Sequence, residues 1–392
     1  MKGRIARLGT GIAVLALTAG VVEVLPAGAV VVVPTVVTCG QTITVSTTLA
    51  ADVGPCPSPG LGWGISIGAS NITLDLNGKR VFGVGPPGEG PGIHIFRRTG
   101  VTVKNGTADH FDCGVLIEGG SGNTVSGITA EDNIGRSPGS VCGDGIAIES
   151  STGNLVVNNT ARRNGPFSGI GVYSAVDSDH PRTTAGTSSG NKIDQNTIND
   201  NVASRNPLTP WENEASGLRL EPNSPSNTVS QNLIVHNGID GIQVFGGSNG
   251  NQIQFNTIMN NGLRTCPPVP QPPPNVPPCP NQSRRGSGIL LFNRALGNGV
   301  SYNYVTGNSD NGIVAQGPVG AVPGAQQNRF VGNTAFGNAA LPPLTPVPGG
   351  PFGGPTFDLQ DRNGNCTFNQ WYANTYGTAF PDCTKAGGTL VS

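Results

Sequence analysis

The chain has 392 residues, 22 Lys and Arg against 23 Asp and Glu, and a formal net charge of −1. That balance offers no basic footprint for nucleic acid and no charge block for a membrane surface. With 60 Gly, 33 Pro and only 11% charged residues, the composition would suit disorder, were it not for the regular apolar columns met further along the chain.

Residues 1–29 read as a secretory signal, and the protein is therefore expected to be extracellular. Lys2, Arg4 and Arg7 form a basic start, an apolar run extends from Ile12 to Val22, and Ala27-Gly28-Ala29 supplies a small-residue cleavage site. No later segment reaches the roughly 18 apolar residues a spanning helix needs, so no membrane span is expected once the signal is removed. Residues 30–63 are expected to cap a repeat region covering 64–340, and residues 341–392 to form a Pro/Gly loop and a second cap.

Eight cysteines in an exported chain suggest disulfides, although eight allow on the order of a hundred pairings. They fall into near pairs: Cys39/Cys56, Cys113/Cys142, Cys266/Cys279 and Cys366/Cys383. Cys113 and Cys142 both lie just before repeat glycines. Zinc ligation would need spacings such as Cys-x-x-Cys, which do not occur. No metal and no cofactor is expected.

Within the repeat region, a Gly-apolar-x-apolar motif opens at Gly92, Gly114, Gly145, Gly169, Gly217, Gly241, Gly288 and Gly312. Alternation of period two marks a strand with one buried face, and the leading Gly permits a tight bend. Each such strand is followed by two shorter ones, as in Thr228-Val-Ser and Leu233-Ile-Val. Interleaved with them is an asparagine triplet spaced by five: Asn154/Asn159/Asn164, Asn191/Asn196/Asn201, Asn227/Asn232/Asn237, Asn251/Asn256/Asn261, Asn298/Asn303/Asn308 and Asn328/Asn333/Asn338. Three short strands and three corners in about 24 residues describe one coil of a solenoid. The expected fold is an all-β, single-stranded parallel β-helix of about ten coils. Asn suits the corners because it tolerates left-handed backbone and because its amide can bond the same amide one coil away. Gly169 to Gly217 and Gly241 to Gly288 are twice the usual interval, so inserted loops are expected near 177–190 and 263–287. The second is Pro-rich and bracketed by Cys266 and Cys279. Near the C-terminus, Trp371, Tyr372, Tyr376 and Phe380 read as a hydrophobic lid.

These repeats resemble the right-handed parallel β-helix repeats of exported bacterial proteins with the pectate-lyase-like fold. The opening Cys39-Gly-Gln-Thr-Ile-Thr-Val and the closing Asp358-Leu-Gln-Asp-x-Asn-x-x-Cys366 are similar to the ends of uncharacterised secreted members. The resemblance implies the fold, its right-handedness and a polysaccharide or cell-surface glycan as partner. It does not select an activity. The polygalacturonase signatures Asn-Thr-Asp, Asp-Asp and Gly-His-Gly are missing, as is the Arg-x-Pro-x-x-Arg of pectate lyases.

The strand register yields a sharper expectation. If Ile93, Val115, Ile146, Ile170, Leu218, Ile242, Ile289 and Ile313 point inward, the intervening residues face solvent. One outward column then holds His94, Arg219 and Gln243. The next holds Phe96, Glu118, Glu149, Tyr173, Glu221, Phe245, Phe292 and Gln316. Carboxylates one or two rungs apart suit acid/base work on a glycosidic bond. Glu118, Glu149 and Glu221, assisted by Tyr173 and Arg219, are therefore candidate catalytic residues of a polysaccharide hydrolase or lyase. Gln243, Phe245, Phe292 and His94 are candidate substrate contacts. The competing reading is a non-catalytic surface or interaction protein, monomeric in either case. Asp144, Asp240 and Asn311 precede repeat glycines and read as turn residues first. Asp109-His110-x-Asp112 reads as local turn bonding, and Asp179-His180-Pro181-Arg182 lies in an inserted loop.

Overall fold

The structure, a computed structural model, describes residues 33–57, 63–85, 90–135, 143–174, 186–201, 215–262, 286–292, 294–339 and 355–391. The signal segment and most of both inserted loops lie outside the described residues. From Pro34 onward the chain forms one compact unit.

That unit is a parallel β-helix. One wall, the front sheet, contains twelve parallel strands: Gln41–Ile43, Ile65–Ile67, Pro91–Phe96, Cys113–Glu118, Asp144–Glu149, Ser168–Tyr173, Ser216–Leu220, Ile242–Val244, Ile289–Leu291, Ile313–Ala315, Leu359–Asp361 and Ala379–Phe380. Every leading-glycine motif of the sequence falls on this wall. The terminal strands come from the two end segments, so the stack is longer than the repeats alone suggest. The remaining strands make the other two walls. In the early coils they run continuously round a corner, as Thr102–Asp109 beside Thr124–Glu131. Later coils split them into two short strands, as Thr228–Ser230 and Leu233–Val235.

In the central coils the front wall sends two apolar residues into the lumen, as Ile146 and Ile148, and each of the other walls one. Ile146, Ile170, Leu218, Ile242 and Ile289 stack on the front wall in register. Val156, Ile193, Val229, Ile253 and Val300 stack on the second, and Ala161, Ile198, Ile234, Ile258 and Val305 on the third. All are fully buried. Burial at about 25 cal/mol per Å² makes this continuous column the main favourable term.

The asparagines form three ladders. In each, the backbone N–H and Nδ2 of one Asn donate to Oδ1 of the Asn one coil on, as from Asn196 to Asn232 at 2.9 and 3.0 Å. The second Nδ2 hydrogen reaches a backbone carbonyl of the preceding coil, here Val156 at 2.9 Å. The ladders are as expected, but the left-handed corner is not theirs. It falls one residue earlier, at Asn158, Gln195, Gln231, Phe255 and Tyr302, all at φ near 55°. The preceding residue makes the bend, leaving the Asn to point inward and stack.

Cys39–Cys56 and Cys366–Cys383 are disulfides. Cys113 is also disulfide-bonded, while Cys142, Cys266 and Cys279 lie outside the described residues. The lid is half as expected. Trp371 stacks on Phe330 at 3.8 Å and Tyr376 is buried, but Tyr372 and Phe380 are more than half exposed. The period-two alternation of the strand Gln370–Tyr372 turns Tyr372 outward when Trp371 points in.

Candidate functional site on the outer face of the front sheet

The predicted columns exist. His94 pairs in register with Leu116, Leu116 with Ala147, Ala147 with Gly171, Gly171 with Arg219 and Arg219 with Gln243. Beside them, Phe96 pairs with Glu118, Glu118 with Glu149 and Glu149 with Tyr173. Glu221 continues the column, its N–H donating to Val172 at 2.9 Å. Phe245, Phe292 and Gln316 follow by equivalent bonds to Leu220, Val244 and Leu291. Glu118 and Glu149 are thus backbone neighbours, about 4.8 Å apart along the axis.

The expectation that these columns face solvent needs correction. They lie outside the barrel, yet Glu118, Glu149, Glu221 and Gln243 are all at least 93% buried, and Tyr173 is completely buried. Cys113, Leu116, Ala147 and Tyr173 form a second apolar cluster on the outer face. Period two predicts which side of a sheet a residue takes, not whether that side is covered.

Tyr173 shows how the face is organised. Its ring lies flat over Gly171, where an added Cβ would stand 2.2 Å from a ring carbon. Only glycine leaves that space. The phenol reaches across to Asp144, donating to Oδ1 and Oδ2 at 2.8 and 2.7 Å. Ser168 Oγ donates to the same carboxylate. Burial, then the charges of Asp144 and Glu221, push the Tyr173 phenol well above its ordinary range, so it stays a neutral donor. Asp144 is fully buried and is no simple turn residue.

On the N-terminal side, His94 Nε2 meets Glu118 Oε2 at 3.0 Å, with the rings of Trp63 and Phe96 nearby. Further along, Arg219 Nε pairs with Glu221 Oε1 at 2.8 Å. The guanidinium sits 4.9 Å from the centre of the Phe245 ring and 5.9 Å from that of Phe167. Phe245 in turn stacks on Phe292 at 4.9 Å with planes 5° apart. The faces of Phe245 are therefore taken by Arg219 and Phe292, and the expected open aromatic face is corrected to an upright stack. Gln243 is turned onto the sheet, its Nε2 donating to Asp240 Oδ2.

Two features escaped the sequence reading. The first is a serine column behind the Glu/Tyr column. Ser151 Oγ donates to the Glu149 carbonyl, Ser188 Oγ to that of Tyr173 and Ser248 Oγ to that of Glu221. It fixes the backbone of three candidate residues, and only Ser151, two residues after Glu149, gives a local sign of it; Ser188 and Ser248 come from 15 and 27 residues further along the chain. The second is a cleft at the C-terminal end of the sheet, lined by Asp240, Ser287, Leu290, Asp310, Asn311, Val314, Gln316 and Arg362. Asp240 is 4% exposed. Burial is the main cause lifting its carboxyl to about 7, against the opposing pull of hydrogen bonds from Gln243 and the Ser287 N–H.

Elsewhere the candidates have local explanations. Asp109 binds Arg80 through both oxygens and His110 Nδ1 at 2.6 Å. Asp179, His180 and Arg182 lie outside the described residues. Among the described residues no group of three or more His, Cys, Asp or Glu is placed to hold a metal ion, and no helix is long and apolar enough to cross a membrane.

Comparison with known proteins gives the fold. The profile of the right handed beta helix region matches residues 64–258 and 185–335. No curated protein matches the sequence. Among solved structures, a double mutant of the periplasmic alginate epimerase AlgG is similar at TM-score 0.53 and 14% identity, covering 91% of this chain and 70% of that one. Pectate lyase Pel9A is similar at TM-score 0.50 and 13% identity, covering 84% and 73%. The Dettilon tailspike protein gives TM-score 0.49 at 16% identity, covering 89% and 56%. The chain spans 57% of another AlgG structure and 56% of the tailspike, little more than half of each.

Proposed function

The chain belongs to the right-handed beta helix family, and from that premise we propose that it is an exported protein that binds polysaccharide along the outer face of its front sheet. One observation carries the reading: Glu118, Glu149, Asp144, Glu221 and Asp240, all nearly or fully buried, lie along one outer wall, interrupted only at the rung of Tyr173. Burying carboxylates is costly unless each is compensated, and such concentrations mark functional sites more often than random surface. Arg219 and the Phe245/Phe292 stack supply the cation and apolar edges that a sugar chain meets. The structures of similar fold include an alginate epimerase and a pectate lyase. At this identity the likeness speaks for fold, so the polysaccharide reading leans on the face itself. The known disulfides suit an exported chain.

The test is retention of the purified full-length chain on immobilised uronate and neutral glycans. Retention is expected for the wild type and weakened about tenfold in Phe245→Ala. A wild type that ignores the whole panel would favour the competing interaction-protein reading.

A catalytic reading is favoured by one further geometry, the adjacent rungs of Glu118 and Glu149, close to the roughly 5 Å carboxylate separation of retaining glycosidases. In it, Glu118, Glu149 and Glu221 act as acid and base, Arg219 holds a uronate carboxylate, and Tyr173 holds Asp144 in place. Release of reducing ends or unsaturated products by the wild type, lost in Glu149→Gln, is the expected result. Equal product from the variant would remove Glu149 from the chemistry.

A further inference from the structure

We propose that the cleft at the C-terminal end of the front sheet is a subsite for a neutral, hydroxyl-bearing sugar unit. The proposal rests on the polysaccharide reading above and narrows it to one place and one chemical class.

The cleft lining combines two nearly buried apolar residues, Leu290 and Val314, with polar groups. That mixture fits a sugar ring, which presents C–H faces between rims of hydroxyls. Gln316 lines it, is 3% exposed, and its Oε1 has no hydrogen-bond partner among the described residues. A buried amide oxygen without a donor is costly and calls for an explanation. A ligand hydroxyl would supply the donor. Gln243 repeats the pattern next door: its Nε2 is committed to Asp240, while Oε1 is likewise buried and unpartnered.

Charge selects the class of sugar. Arg362 is weakened as a cation by burial and supported by Asp310. The Asp240 carboxyl, lifted to about 7 by burial, is close to half protonated at neutral pH. Two carboxylates, Asp310 and the half-protonated Asp240, face the single guanidinium of Arg362, so no positive surplus is left to grip a uronate carboxylate, while Arg362 opposes a metal ion. Neutral hydroxyls, which donate and accept, match an amide oxygen, a carboxyl group and a guanidinium together.

The experiment titrates the full-length wild type, Gln316→Met and Phe245→Ala with short neutral oligosaccharides and with short uronate oligosaccharides, by calorimetry. The polymer-retention assay runs in parallel. Neutral oligosaccharides are expected to bind the wild type, and Gln316→Met to weaken them about tenfold. Polymer retention by Gln316→Met is expected to fall by less than the oligosaccharide binding does, because Arg219 and the Phe245/Phe292 stack still hold the chain. Unchanged oligosaccharide binding in Gln316→Met overturns the cleft, as does a wild-type preference for uronates. Either result, with polymer retention intact, leaves the broader reading standing. Absence of all glycan binding by the wild type sinks both. A thermal unfolding curve separates loss of the site from loss of the fold. If Gln316→Met fails to fold, Val314→Phe, which adds bulk to the cleft lining, carries the same expectation.

Discussion

Single side chains decide more here than the repeat does. Each ladder asparagine serves several bonds at once: Asn256 Oδ1 accepts from Asn232, while its Nδ2 donates to Asn303 and to the Val229 carbonyl. Asn256→Ala strands several buried groups and should cost about 2–4 kcal/mol in urea unfolding. A loss below about 0.5 kcal/mol would mean the ladder is ornamental. Gly171→Ala places a methyl group into the Tyr173 ring. It should cost about 1–3 kcal/mol by overpacking and release the Tyr173–Asp144 bond, read as a more exposed phenol in ultraviolet difference spectra. Asp240 gives a pH signature. Its folded pKa, about 7, lies above its ordinary 3.8, so the folded state holds a proton that the unfolded state releases. Stability from this group is full below about pH 4 and is lost as pH rises towards 7. Asp240→Asn should remove that slope, gaining most over the wild type at pH 8 and little at pH 4. Parallel stability curves for the two proteins would refute the assignment.

At the scale of the strand and coil, the ends are the weak points, because a terminal coil has a neighbour on one side only. The chain ties both ends with disulfides closing short loops, Cys39–Cys56 and Cys366–Cys383. The double variant Cys366→Ser/Cys383→Ser should lose about 2–4 kcal/mol locally. Its faster amide exchange should be confined to the coils around Trp371 and Tyr376; acceleration spread evenly over the barrel would contradict local tying. Strands are also where the sequence was most legible. Gly-Ile-x-Val alternation placed the lumen residues Ile146, Ile170 and Leu218 correctly, since side-chain direction follows from the pleat alone. Tyr173 was less so: alternation put it outside, but its rotamer, laid over Gly171 of its own strand, depends on Asp144 of the neighbouring one. Asp240 was read as a turn residue because nothing local announces that Asp310, Gln316 and Arg362 gather beside it from later coils.

For the molecule as a whole, stability accrues by stacking, so native-state hydrogen exchange should rise in protection from both ends to a maximum around Asn196 and Asn232. Flat protection from first coil to last would indicate a single cooperative block instead. The ladders add a directional property. Every side-chain carbonyl in them accepts from the coil before, and every chain of bonds advances towards the C-terminus, from Asn123 to Asn154 and onward to Asn328 and Asn369. The aligned amides therefore sum to an electric moment whose positive pole lies at the C-terminal end, much as peptide groups do in a helix. Two of the three columns terminate on an anion: Asn338 donates to Asp358, and Asn369 to Asp361. In those two columns the carboxylates neutralise the pole and occupy the last donors, so neither offers an amide onto which a second copy of the barrel could extend the series.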